Sequence, residues 1–385
     1  MNTITSPQSL PKPLFVAYRQ MLEGLGLNRE TSLATDIGGT LNPARPWLLS
    51  VSGGKDSMLL WYLMELASQA GDAPLGDCPN IEILHICYPF RKAAKAELHS
   101  LGDLALDLGR PFHGVDLSQE PIPDSNCEAW ARKQRLEAYE RLNRRHQEMG
   151  FRILLGRHQD DQLETFFLKM FRQATPWTWA RQEPLGPNML CPLITLTRLQ
   201  ILEAVSCIPE CNPLGGRWHK PWKTFEDHTN TSMAFRRNIV RQVLLPTLRH
   251  PMGVSATGLS RMIDLQENAY ETVMRTLGQQ ISRVLGDDWI QKPSLPYRQM
   301  MEQGGDGWPL AVWTWVSEKL DRHTLNAKRF GQLMDTLTRK ETQYPKVFSF
   351  SERTDMMVSK QMIHAVHKPP SQELPSEERW NETVG

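Results

Sequence analysis

An apolar run, Trp47 to Val51, breaks at Ser52-Gly53-Gly54-Lys55-Asp56-Ser57 and resumes as a second apolar run from Met58 to Ala67. The first run has the length of a buried strand. The second is too long for a typical strand and reads as a helix. The six residues between them therefore form a strand-to-helix loop. There, backbone N–H groups stand unpaired and the helix dipole favours an anion. Gly53 and Gly54 allow positive φ and close approach of a bound group, and Ser52 and Ser57 add hydroxyl donors. The pattern reads as a phosphate cradle. It is not the Walker loop, which needs Gly-Lys-Ser/Thr, because Lys55 is followed by Asp56. A carboxylate in a phosphate loop calls for an intervening metal, or for a leaving pyrophosphate held with Mg²⁺. The competing reading is an ordinary strand–turn–helix with Asp56 as the helix cap.

Strand and helix patterns alternate after this point. Strands are expected at Ile81–Cys87, Pro111–Leu117, Phe151–Gly156 and Met189–Ile194. Helices are expected at about 92–109, 127–148, from Arg157 to about 172, and at Arg198–Val205. A short amphipathic helix at about 13–25 precedes them. This alternation predicts an α/β fold with a parallel, doubly wound sheet. Ligands bind such sheets at the carboxyl ends of the strands. The Ser52 loop and the segment Arg157–Thr165 both follow strands, so both are placed on that rim.

The second rim segment carries Asp160, Asp161 and Glu164 within one helical turn. Three carboxylates at one edge repel, and a hard divalent cation resolves the repulsion. The alternative is a capping box, Asp161-x-x-Glu164, because acids favour helix N-termini. The 127–148 helix has an inward stripe of Ala129, Leu136, Tyr139 and Leu142, and Arg132 falls on it. A charge there is costly unless it is paired or functional; a snorkelling arginine is the alternative. Phe235 to Arg249 reads as a basic helix. Its Arg236, Arg237 and Arg241 could meet nucleic-acid phosphates, or form a solvated face.

From about 252 the alternation gives way to helices at about 256–284, 308–320 and 326–338. Short strands follow at about 346–351, 355–359 and 362–366. The expected organisation is an extension over 1–45, a catalytic α/β domain over 46–250, a smaller, mainly helical α+β domain over 251–367, and a disordered tail over 368–385. A length of 385 residues with 40% apolar composition supports two domains. The net charge of +1 announces no nucleic-acid partner, so any RNA contact must come from local patches. Residues 1–14 do not have the form of a signal peptide, and no apolar run reaches membrane-spanning length. Six cysteines are too sparse for a disulfide scaffold. A soluble, reduced, cytoplasmic protein is the expectation. Cys207-x-x-x-Cys211 with His219 lacks a convincing fourth metal ligand.

The motifs together resemble a family. Ser52-Gly53-Gly54-Lys55-Asp56-Ser57 resembles the PP-loop of N-type ATP pyrophosphatases, an adenine nucleotide alpha hydrolase-like fold. His158-x-Asp160-Asp161-Gln162-x-Glu164-Thr165 looks like the second signature of the tRNA(Ile)-lysidine synthetases. Glu128-x-x-Ala131-Arg132-x-x-Arg135 is similar to one of their helices, and His85 with Arg91 matches the ends of their second-strand motif. Glu226-Asp227-His228-Thr229-Asn230, then Phe235-x-Arg237-Asn238-x-x-Arg241 and Pro246, resembles the block that closes their catalytic domain. The resemblance implies ATP on Ser52–Ser57, with Mg²⁺ on Asp56 and Asp160 or Asp161. It implies a cytidine adenylated at its C2 carbonyl and a lysine ligated there, with Asp161 and Glu164 available to the lysine ammonium and Arg132 facing phosphate or base. His158 joins the catalytic set. The implied partners are tRNA and lysine, and a homodimer is left open. Four residues depart from the pattern. Arg157 stands beside His158 where the family pairs histidines, and Cys87 and Tyr88 replace an asparagine and a histidine. Lys55 is commoner in the tRNA 2-thiocytidine synthetases, whose Cys-x-x-Cys is met here by Cys127 and Trp130. Sulfur transfer to tRNA and a diverged non-catalytic role are the alternatives.

Overall fold

The computed structural model describes residues 10–25, 46–70, 80–90, 93–123, 127–145, 150–171, 189–211, 224–225, 233, 235–303, 305–320, 327–339, 343–350, 354–367 and 380–383. The chain divides into two compact units. One comprises Met1–Glu164, Pro184–Met252 and Pro375–Gly385, and the other Thr165–Glu183 and Gly253–Leu374.

The first unit is built on β1 (Trp47–Ser50), β2 (Ile81–Cys87), β3 (Phe112–Asp116), β4 (Arg152–Leu155) and β5 (Met189–Leu190). All five run parallel, in the order β3-β2-β1-β4-β5. The order reverses direction between β1 and β4, and the ligand crevice of a doubly wound sheet opens at that switch point. The fifth strand keeps only Met189 and Leu190 of its expected length. The tail expected to lack structure instead supplies an edge strand, β10 (Trp380–Thr383), antiparallel to β3.

Helices cover both faces. Against one face, α1 (Lys12–Gly24), α2 (Lys55–Ala70), α3 (Ala94–Asp107) and α6 (Arg198–Cys211) bury Leu14, Trp61, Leu101 and Ile201 with Leu49 and Ile83. On the other, α4 (Cys127–Arg145) buries Tyr139 and Leu142 against Leu48, Leu84 and Ile153. β4 leads into α5 (Gln159–Phe171). α6 starts at a reciprocal capping box: Gln200 N–H donates to Thr197 Oγ1 at 3.2 Å and Thr197 N–H donates to Gln200 Oε1 at 2.9 Å. It runs past the expected end at Val205 and through Pro209. Cys207 lies inside it and donates its thiol to Glu203 O; His219 lies outside the described residues. The basic helix over 236–249, here α7, is α-helical at Arg236–Ile239, π-helical at Val240–Leu244 and α-helical again at Leu245–Arg249.

The second unit carries α8 (Ala256–Leu285), α9 (Tyr297–Gln303), α10 (Trp308–Lys319) and α11 (Ala327–Thr338). Its sheet runs β6-β9-β8-β7, with β6 (Ser294–Leu295), β7 (Lys346–Ser349), β8 (Thr354–Val358) and β9 (Ile363–His367), all antiparallel. Trp315, Tyr297, Leu333 and Met356 form its core. Among the described residues, no helix is long and apolar enough to cross a membrane.

Candidate active site

β1 hands the chain to Ser52–Ser57 and then to α2. Gly53 sits at φ +79°, a conformation that L side chains resist. The loop is cinched by its own serines. Ser57 Oγ accepts from Ser52 N–H at 3.1 Å and donates to Gly54 O at 3.1 Å, and the Ser52 and Ser57 hydroxyls are 3.1 Å apart. Buried Ser57 therefore braces the cradle from beneath. α2 begins at Lys55, so Asp56 lies in its first turn and is not the cap.

Gly156 was legible only as a strand end. A Cβ there would lie 2.7 Å from both Ser57 Cα and Ser57 N, and 2.8 Å from the carbonyl carbon of Asp56. Only a glycine lets β4 press this closely on the cradle. The signal was present as a glycine directly after an apolar strand, but its neighbour is a hundred residues away in the chain.

α5 opens with Asp161 accepting from the backbone N–H of His158 at 3.1 Å. This is half of a capping box, with Asp161 in the third helical position rather than at the cap. Buried His158 holds Nε2 3.8 Å from Asp56 Oδ2 and 3.6 Å from Asp161 Oδ2. One imidazole thus links the two rim loops. Burial pushes the Asp56 carboxyl up, His158 opposes the shift, and the Asp161 charge adds to it. Burial also acts to raise Asp161, but His158, Arg237 and Arg241 outweigh it and hold that carboxyl below its ordinary range.

The arginines of α7 were expected to meet RNA phosphates or to form a solvated face, and two of them pair with acids of α5. Arg237 donates to Asp161 Oδ1 at 2.6 Å and to Glu164 Oε2 at 2.7 Å. Arg241 donates to Glu164 Oε1 at 2.5 Å and Oε2 at 3.0 Å. Buried carboxylates demand such partners. Burial works against the Arg237 charge, yet Asp161 and Glu164 more than offset it and raise its pKa. Arg236 alone of the three is exposed. The Glu226–Asn230 block lies outside the described residues.

Asp160, expected with Asp56 and Asp161 at a metal, is engaged by two other groups. One of its oxygens takes Arg249 Nη1 at 2.8 Å, and the other takes the Arg198 N–H at 3.3 Å. Asp160 therefore ties α5 to the start of α6 and the end of α7. Among the described residues, no three His, Cys, Asp or Glu side chains converge into a ready-made metal centre. Asp56 Oδ2 and Asp161 Oδ2, each within 3.8 Å of His158 Nε2, supply a donor set of the kind that suits Mg²⁺. That ion is usually held by one or two carboxylates and completed by substrate phosphate oxygens.

α4 forms one wall of the crevice. Tyr139, well along the helix, donates to Ser50 Oγ at 2.8 Å at the end of β1. The residues before it therefore overhang the strand ends; Ala131 stands about 12 Å further out. Accordingly Ala129, expected on the inward stripe, is exposed, while Arg132 and Arg135 are half-buried. Burial lowers the Arg157 pKa, and the Asp161 charge opposes the shift.

A glycine loop at a helix N-terminus, beside two carboxylates that share one histidine at a sheet switch point, defines an α/β protein of the anion-loop class. The PP-loop domain family matches residues 28–248, and the chain belongs to that family. It is similar to tRNA(Ile)-lysidine synthases. That of Pseudomonas syringae pv. tomato is 31% identical over 211 residues, 53% of this chain and 42% of that protein. That of Chlamydia muridarum is 28% identical over 220 residues, 56% and 61% of the two chains. That of Lactiplantibacillus plantarum is 24% identical over 288 residues, 72% and 58%. The matched part thus spans about 42% to 61% of the length of these relatives. The solved U34-tRNA thiolase NcsA from Methanococcus maripaludis overlays with a TM-score of 0.43 at 14% identity, covering 68% of this chain and 79% of that one, too low a score to bear on function.

Proposed function

We propose that this chain is an ATP-dependent tRNA-modifying enzyme that adenylates a cytidine at its C2 carbonyl oxygen and ligates lysine there. The observation that carries the proposal is the cradle Ser52–Ser57, whose Asp56 shares His158 with Asp161. The lysidine synthase relatives support it. The carbonyl oxygen attacks the α-phosphorus of ATP, and the bond to pyrophosphate breaks. The lysine ε-amine then attacks C2, and AMP leaves. Such displacements need positioning and charge neutralisation more than covalent help. The backbone N–H groups of the cradle hold the departing pyrophosphate. Asp56 and Asp161 would hold Mg²⁺, which supplies charge neutralisation at phosphate. Arg132 and Arg135 line the α4 wall, and exposed Arg236 reaches RNA phosphate.

The test is pyrophosphate release from ATP with bulk bacterial tRNA, with and without lysine. Release that requires both tRNA and lysine supports the proposal; wild-type protein that releases none refutes it. One observation favours a second reading. Arg237 and Arg241 already occupy both oxygens of Glu164 and one of Asp161, so these acids leave little room for a lysine ammonium. A sulfur nucleophile on the same adenylated base would need no such acid. Release supported by a sulfide donor and not by lysine would select it.

A further inference from the structure

We propose that Tyr88, Phe90 and Trp130 form a nucleobase-stacking site on the wall of the crevice. The proposal rests on the ATP-dependent, RNA-directed reading above and adds to it a place for a base. Tyr88 and Phe90 follow directly on β2. Their rings stack at 5.2 Å between centroids with only 10° between planes. Trp130, on the overhanging part of α4, meets Tyr88 edge-on at 6.3 Å and 66°. The three rings thus make a corner, with two parallel faces and a wall.

The corner is fixed. Tyr88 Oη donates to Ala131 O at 3.1 Å, which ties the end of β2 to α4. Cys87, one residue before, is buried and pairs through its backbone with Leu117, so the strand end cannot drift. All three rings remain partly exposed. Tyr88 and Trp130 pack by one side against the core that holds Leu84 and Tyr139 and keep their other side partly exposed.

Its position also points to a base. β2 lies beside β1, and His85 Nδ1 is 2.8 Å from Val51 O, one residue before the cradle. The rings therefore sit on the same rim as the phosphate loop. Arg132 and Arg135 follow Trp130 on α4 and supply the positive charge that a nucleotide's backbone requires. Aromatic faces beside basic side chains bind bases by stacking, with little dependence on which base. The base has two sources with the same chemistry, the adenine of ATP or an unstacked base of RNA.

The experiment measures affinity of the full chain for Mg·ATP, for inorganic tripolyphosphate and for a labelled oligocytidylate. Wild type is compared with Trp130→Leu, Phe90→Leu and the ring-preserving Trp130→Phe. Loss of a stacking partner is expected to weaken one base-containing ligand by roughly 5- to 150-fold, with Trp130→Phe near wild type and tripolyphosphate unmoved. Weakening confined to ATP assigns the adenine, and weakening confined to oligocytidylate assigns the RNA base. Leucine variants that bind both ligands as wild type does overturn the site and leave the proposed function standing. So does a loss of tripolyphosphate affinity in step with ATP. Wild type that binds neither ATP nor oligocytidylate overturns both.

Discussion

Gly156→Ala tests whether the cradle is held from beneath by β4. The added methyl would stand 2.7 Å from Ser57 Cα and N and 2.8 Å from the Asp56 carbonyl carbon. Carbon atoms in contact sit about 3.5–4.0 Å apart, so about 1 Å must be found. The obstructing atoms are backbone, and no rotamer change relieves them. Overpacking of this kind costs about 1–3 kcal/mol. The displacement passes into the first turn of α2, which carries Asp56 and closes the loop through Ser57. A misplacement of about 1 Å can lower turnover about 100-fold. Gly156→Ala should therefore lose about two orders of magnitude in pyrophosphate release while unfolding cooperatively at a moderately lower temperature. Gly109→Ala is the control. It sits at φ +65° with nothing within 4 Å of the new methyl. It should carry a backbone penalty of about 1–2 kcal/mol and leave turnover alone. Equal turnover in the two variants would refute the reasoning.

Arg241→Leu leaves Glu164 with Arg237 as its cation and removes its charge-assisted bonds to Arg241, so it should cost about 1.5–3 kcal/mol in urea unfolding, partly recovered in Arg241→Leu/Glu164→Leu; a single variant as stable as wild type would count against the cluster. Glu65 accepts from Trp61 Nε1 at 3.1 Å and from Arg110 Nη2 at 2.8 Å beneath α2. Glu65→Gln should destabilise by a similar amount, read the same way, with little effect on ATP affinity. Burial pushes the Cys87 and Cys191 thiols up to about 12 from an ordinary 9.0. The unfolded chain then gives up these protons first, so stability falls as pH rises above about 9, by at most about 1.4 kcal/mol per pH unit for each thiol. Urea midpoints at pH 8 and 10 should converge in Cys87→Ala and Cys191→Ala. Asp161→Asn should abolish pyrophosphate release with a modest loss of stability, whereas Asp160→Asn should loosen the α5–α7 junction and keep measurable turnover. The reverse ranking would return Asp160 to the metal.

Local patterns made much of this fold legible. The run Trp47–Val51 and the run Met58–Ala67 differ in length, and that difference alone separates β1 from α2. The cradle between them followed from two glycines at a strand-to-helix junction. What the sequence concealed is what distant segments do to each other. Arg237 and Arg241 lie on a helix whose basic face looks like a solvated or RNA-facing surface, yet their partners are acids more than seventy residues earlier. Ala129 continues the inward stripe of α4, but the helix outruns the strands it covers, so the stripe has nothing to bury against. Pro209 and the prolines and glutamates after Lys368 read as breakers and as a disordered tail. The first is absorbed within α6, and beyond the second Trp380–Thr383 finds a free sheet edge at β3.

The same pairing explains how one turn of α5 can carry three acids beside a loop built for phosphate. ATP brings several negative charges to the cradle. Three bare carboxylates next to it would repel that charge strongly in a partly buried site. Arg249 takes Asp160, while Arg237 and Arg241 take Glu164 and one oxygen of Asp161. The cluster is then close to neutral. Oδ2 of Asp161 accepts the His158 backbone N–H at 3.1 Å and lies 3.6 Å from His158 Nε2, on the side of the imidazole that also approaches Asp56. Arg237, Arg241 and Arg249 of α7 thus neutralise the acids of α5. Cancelling the surplus acids keeps the cluster from repelling the nucleotide that the proposed reaction requires.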